Sequence, residues 1–114
     1  MGLEKGMFLR IYSGDDGKSH FEEMKLPQGA LNLDAAAGVR FARMEPHYFY
    51  DFHVSPRRQY LITVSGYIDQ GTGDGTVRRF GPGDVMLEDD LTGQGHTARI
   101  GPEPRLFVVI PILP

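Results

Sequence analysis

Four histidines, His20, His47, His53 and His96, are the imidazoles available for chemistry in this chain, and cysteine is absent. The missing cysteine removes disulfides, thiol nucleophiles and thiolate-ligated zinc or iron–sulfur sites together. Any metal would have to rest on imidazole, carboxylate or amide groups. A histidine on a strand is more often structural or exposed than a ligand, so spacing decides which of the four to follow. His53 precedes Gln59 by six positions, and His96 follows the glycine-rich run Thr92-Gly93-Gln94-Gly95. Those two carry the interest. No Gly-x-Ser-x-Gly elbow occurs, and the histidines and aspartates suggest no hydrolase triad. The stretch Gly71-Thr72-Gly73-Asp74-Gly75 has no following lysine or helix to hold a phosphate and reads as a hairpin turn.

The elements that must position these groups are strands. Fifteen glycines and eight prolines are spread through the 114 residues instead of being gathered in a linker, a distribution that many short strands and tight turns require. Strands are expected at 7–12, 20–25, 39–44, 48–53, 58–65, 67–70, 76–80, 84–88, 96–100 and 105–110. Strong turn signals separate them, among them Ser13-Gly14-Asp15-Asp16-Gly17, Ser65-Gly66 and Gly81-Pro82-Gly83-Asp84. The helix-like stretch is Leu31 to Val39, one turn at best. Within the fifth strand, side chains alternate, so Gln59, Leu61 and Thr63 share one face and Tyr60, Ile62 and Val64 the other. The last strand, Leu106 to Ile110, is apolar on both faces and belongs inside a sheet.

The run His53-Val54-Ser55-Pro56-Arg57-Arg58-Gln59, with six residues between Gln59 and Gly66, resembles the first cupin motif. There, two histidines one residue apart precede a glutamate, and six residues then lead to a glycine. His53 falls at the first histidine, Ser55 at the second and Gln59 at the glutamate. The segment Gly81-Pro82-Gly83-Asp84-Val85-Met86-Leu87, followed by Thr92-Gly93-Gln94-Gly95-His96, is similar to the second motif. In it Leu91 replaces the motif's proline, and the loop is two residues longer than the usual pattern. The resemblance spans about Val39 to Ile110.

The resemblance implies an all-β fold, a double-stranded β-helix or jelly-roll barrel of antiparallel strands, with residues 1–114 as one domain. Residues 39–110 would form the core, and the strands within 1–38 would be free to pair with a neighbouring copy in a homodimer. It also implies that His53, Gln59 and His96 project onto one point, where family members hold iron, manganese, nickel or zinc. Two imidazoles and a neutral amide would bind such an ion more weakly than a set that includes a carboxylate. Arg57 shares the alternation phase of Gln59 and is a candidate to clamp a carboxylate at the pocket mouth. Asp51 and His47 precede His53 by two and six positions and are candidates for the rim, and Thr63 is a third substrate-side candidate. The acidic run Glu88-Asp89-Asp90 reads as a solvated turn, one member of which could orient His96. Met86, Phe107 and Tyr60 read as core. Two functions remain open: a metal-dependent enzyme of dioxygenase or isomerase type acting on a small polar or anionic molecule, or a metal-free small-ligand-binding or sensing protein.

Composition narrows the partners. Twelve basic against fifteen acidic residues give a net charge of −3, with no basic face to neutralise phosphates, so nucleic acid is not expected. No run approaches the roughly 18 apolar residues that span a bilayer, and Met1 to Gly6 has no secretion-signal character. A cytoplasmic protein with a small-molecule ligand is the expectation.

Overall fold

The structure is a computed structural model that describes residues 7–24 and 38–112; the expected helical turn at Leu31 lies outside them. Ten strands follow one another: β1 (Phe8–Ser13), β2 (Ser19–Glu23), β3 (Arg40–Met44), β4 (Phe49–His53), β5 (Gln59–Ser65), β6 (Ile68–Thr72), β7 (Val77–Phe80), β8 (Val85–Asp89), β9 (His96–Ile100) and β10 (Arg105–Pro111). Each coincides with an expected strand to within two residues at either end. The glycine turns explain that agreement. Gly17, Gly66, Gly75 and Gly83 all adopt positive φ, a backbone state open to glycine at no steric penalty, so the chain reverses where the sequence places them.

The strands form two sheets, ordered β2-β1-β8-β5-β10-β3 and β4-β9-β6-β7. All pairings are antiparallel except β1 with β8. That parallel pair departs from the expected all-antiparallel arrangement. It places the N-terminal strands inside the protein's own six-stranded sheet, with β2 as its edge. Asp84 secures the join: its Oδ1 accepts from the Met7 backbone N–H at 2.8 Å and its Oδ2 from that of Gly81 at 2.8 Å, so one side chain shapes the turn before β8 and holds the start of β1 beside it.

The inward faces meet in one core. Leu9 and Ile11 of β1, Met86 of β8 and Leu61 of β5 pack against Ile68 of β6 and Ile100 of β9, all buried. Each such side chain contributes roughly 1.5–3 kcal/mol of burial free energy. The core fills one end of the space between the sheets. At the other end, the inward positions turn polar.

Candidate functional site

Alternation along β5 sends Gln59, Leu61 and Thr63 inward, and all three are buried. The register of β5 with β8 sets Glu88 directly opposite Gln59. On the facing sheet, His96 at the start of β9 lies opposite His53 at the end of β4. Their rings stand 4.6 Å apart. Gly95 permits this approach: its φ is +80°, and a Cβ there would overlap the His53 carbonyl. His53, Gln59 and His96 thus line one pocket.

Behind the pocket runs a chain of hydrogen bonds. Glu88 Oε1 accepts from Gln59 Nε2 at 2.7 Å and from Ser55 Oγ at 2.8 Å. Glu88 Oε2 lies 3.3 Å from His96 Nε2, and His96 Nδ1 lies 2.6 Å from Asp90 Oδ2. Asp90 Oδ2 also accepts from Ser19 Oγ at 2.6 Å. The chain ties the two sheets together, because Glu88 belongs to one and His96 to the other. Burial alone would depress the His96 pKa, but the hydrogen bonds and charges of Asp90 and Glu88 outweigh it and raise the group to about 9. Burial likewise works against the Glu88 carboxylate, yet His96, Gln59 and Ser55 hold its pKa below the usual value. At neutral pH the pair is therefore imidazolium and carboxylate.

Arg105, the first residue of β10, is 1% exposed and faces the same pocket. Its Nε and Nη2 donate to Thr63 Oγ1 at 3.1 and 3.0 Å, its guanidinium lies 4.1 Å over the Phe107 ring, and Nη1 reaches Met44 Sδ at 3.7 Å. Among the described residues no carboxylate lies within ion-pairing distance of it. Burial lowers its pKa to about 10, against which the charge of Glu88 gives partial support. The pocket encloses about 160 Å³. Its apolar walls include Leu61, Ile68 and Ala98, and Arg40 stands as a second guanidinium on its lining.

The remaining expected residues fall elsewhere. Arg57 is exposed and borders a separate cleft with Arg58, Leu91 and Ile112. The alternation phase counted back from Gln59 does not reach it, because β5 begins at Gln59 and the chain bends at residues 56–58 just before it. Asp51 is exposed; its Oδ1 takes the Phe52 N–H, and its backbone carbonyl accepts from His53 Nδ1 at 2.8 Å. His47 sits in a turn with φ of 63°, exposed. Thr63 is in the site, as the anchor of Arg105. The acidic run is not a solvated turn: Glu88 and Asp90 point inward and are buried, while Asp89 points outward to Arg10 and Arg58. Sequence reasoning passed over Arg105, Gln70 and the buried carboxylates. The available signal was parity, since Arg105 shares that of the inward Phe107 and Val109, and Glu88 and Asp90 share theirs with the core residue Met86.

The expected ligand set does not fit a divalent ion as arranged. Both ring nitrogens of His96 face carboxylates, at 3.3 Å from Glu88 Oε2 and 2.6 Å from Asp90 Oδ2, so each is already taken by a protein partner. Gln59 presents its amide nitrogen to Glu88. Among the described residues no group of three histidine or carboxylate side chains has the geometry to hold a metal ion. Nor, among them, is any helix long and apolar enough to cross a membrane.

No family model matches the sequence, and no curated protein does. The structure is similar to that of protein NMB1881 from Neisseria meningitidis, with a TM-score of 0.50 at 11% identity over 98% of this chain and 90% of that one. A match to an RmlC-like cupin protein from Desulfovibrio desulfuricans has a TM-score of 0.44 at 12% identity, covering 81% and 97% of the two chains. At such identities, likeness concerns the fold. With ten strands among the described residues in two facing sheets, and strands β4, β5, β8 and β9 gathered around one pocket, the chain is a small all-β domain of mostly antiparallel strands.

Proposed function

We propose that this protein is a metal-free, small-ligand-binding cupin whose pocket takes a compact organic anion on Arg105. One observation carries the reading: a guanidinium 1% exposed, lining a pocket, with no carboxylate partner among the described residues. A buried charge is ordinarily paired, because leaving it unpaired costs several kcal/mol. Thr63 and Met44 occupy part of its donor set, and Thr63 grips one edge of the fork. A carboxylate on its remaining N–H groups would supply the missing charge in the bidentate geometry that arginine favours.

Arg40, exposed on the pocket lining, adds a second positive charge, which agrees with an anionic ligand. Size agrees as well. A cavity near 150 Å³ admits a benzene-sized molecule, so about 160 Å³ suits a ligand of roughly six to nine non-hydrogen atoms.

Calorimetric titration with pentanoate tests the proposal. Saturable one-to-one binding by the wild type is expected, with loss in Arg105→Met. That variant is also expected to fold at least as stably as the wild type, since an apolar side chain of similar length removes an unpaired buried charge. Pentanoate affinity unchanged in Arg105→Met would overturn the proposal. So would one equivalent of metal found by elemental analysis of protein purified without chelator.

A further inference from the structure

A second polar side chain in the pocket has an atom with no hydrogen-bond partner among the described residues. Gln70 of β6 is 2% exposed and lines the same pocket as Arg105, and its Oε1 makes no hydrogen bond to any described residue. Buried amide oxygens are nearly always satisfied, and an exception inside a cavity marks a position that a bound molecule or water fills. The surroundings restrict what that molecule is. Gln70 belongs to the four-stranded sheet and Arg105 to the six-stranded one, so the two groups approach from opposite walls. Both line one pocket of about 160 Å³, so a ligand that touches both must be compact. The lining they share includes the aliphatic side chains of Leu61, Ile68 and Ala98 beside the polar Gln59, Glu88 and His96.

Resting on the reading of Arg105 as an anion anchor, we infer that the ligand is a short hydroxymonocarboxylic acid: its carboxylate on Arg105, its hydroxyl on Gln70, and an aliphatic link between them. A hydroxyl both donates and accepts, and so matches the amide in either orientation of its oxygen and nitrogen. A second carboxylate at the Gln70 end is disfavoured. It would enter a pocket that already holds Glu88, whose oxygens are taken by Ser55, Gln59 and His96, and repulsion between enclosed like charges is weakly screened. A plain alkanoate satisfies Arg105 but leaves Gln70 without a partner, and a site built to hydrogen-bond a hydroxyl discriminates against the analogue that lacks it.

Titration of the full chain with 5-hydroxypentanoate, pentanoate and glutarate distinguishes these cases. The hydroxy acid is expected to bind at least tenfold more tightly than pentanoate, and glutarate more weakly than either. In Gln70→Leu the advantage of the hydroxy acid is expected to vanish while pentanoate still binds. Equal affinities for the hydroxy acid and pentanoate in the wild type, with both lost in Arg105→Met, would overturn the hydroxyl assignment and leave the anion site standing. A preference that survives Gln70→Leu would overturn the role of Gln70, and tightest binding of glutarate would overturn the monoacid. Failure of all three to bind the wild type at millimolar concentration would remove the anion site and this inference together.

Discussion

Raising the pH should unfasten the two sheets at His96. The group titrates near pH 9 in the folded protein against an ordinary value of 6.5, a rise of about 2.5 units. At 1.36 kcal/mol per unit this corresponds to about 3 kcal/mol of stability. The folded state holds the proton more tightly, so the contribution is complete below pH 6.5. It falls as pH climbs from 6.5 to 9 and is gone above that. Glu88 works in the opposite sense: its depressed pKa lends stability above pH 4.5 that is lost as acid protonates it. Maximum stability is therefore expected between about pH 5 and 6.5. Urea unfolding followed by circular dichroism checks this. With a slope of about 1.5 kcal/mol per molar urea, the midpoint should drop by about 2 M between pH 6 and pH 9.5. The His96→Gln variant, which lacks the titrating ring, should show little of that drop. A wild-type midpoint that is constant or rising over the same range would refute the imidazolium between Glu88 and Asp90.

Three other perturbations report on the same arrangement. Gln59→Glu replaces the donor to Glu88 Oε1 with a like charge in a buried site and should destabilise by about 2–4 kcal/mol, seen as a lowered thermal midpoint; zinc titration should find no stoichiometric site in the wild type or the variant, and tight binding in either would restore the ligand set expected from the motif. Gly95→Ala places a side chain at φ +80° against the His53 carbonyl, so it should lose more than the 1–2 kcal/mol of the left-handed conformation alone and weaken pentanoate binding as His53 is displaced. On the six-stranded sheet, Phe41 of β3 is 79% exposed opposite Val108, and Leu106 of β10 and Val64 of β5 are exposed on the neighbouring strands, exposed apolar groups of the kind that mark interfaces; light scattering is expected to return a dimer mass for the wild type and a monomer for Phe41→Glu.

The strands were legible because their boundaries are local. A glycine that must take positive φ ends an element whatever the rest of the chain does, and alternation then assigns Gln59, Leu61 and Thr63 to one face. The placement of His96 inside the barrel also followed from its motif. The parallel pairing of β1 with β8 did not, since it joins segments some 77 residues apart with no turn between them to signal it. Glu88 and Asp90 were hidden by Asp89: three consecutive acids look like one solvated run, although a strand sends the middle one outward and the other two in. Arg57 failed for the complementary reason. Parity holds only along an unbroken strand, and the bend at residues 56–58 interrupts it. Arg105 stands at the start of an apolar strand, where a charge is ordinarily solvated; only the burial of both flanking walls reveals a guanidinium enclosed in the pocket.

The most direct test is to watch the Arg105 guanidinium itself by nuclear magnetic resonance of arginine-labelled protein during titration with pentanoate. Saturating shifts of the Arg105 Nε and Nη signals are expected, while those of Arg79, which is already paired with Asp69 at 2.8 Å, stay in place. Saturable binding that leaves the Arg105 signals unmoved would contradict the assignment of the pocket as an anion site.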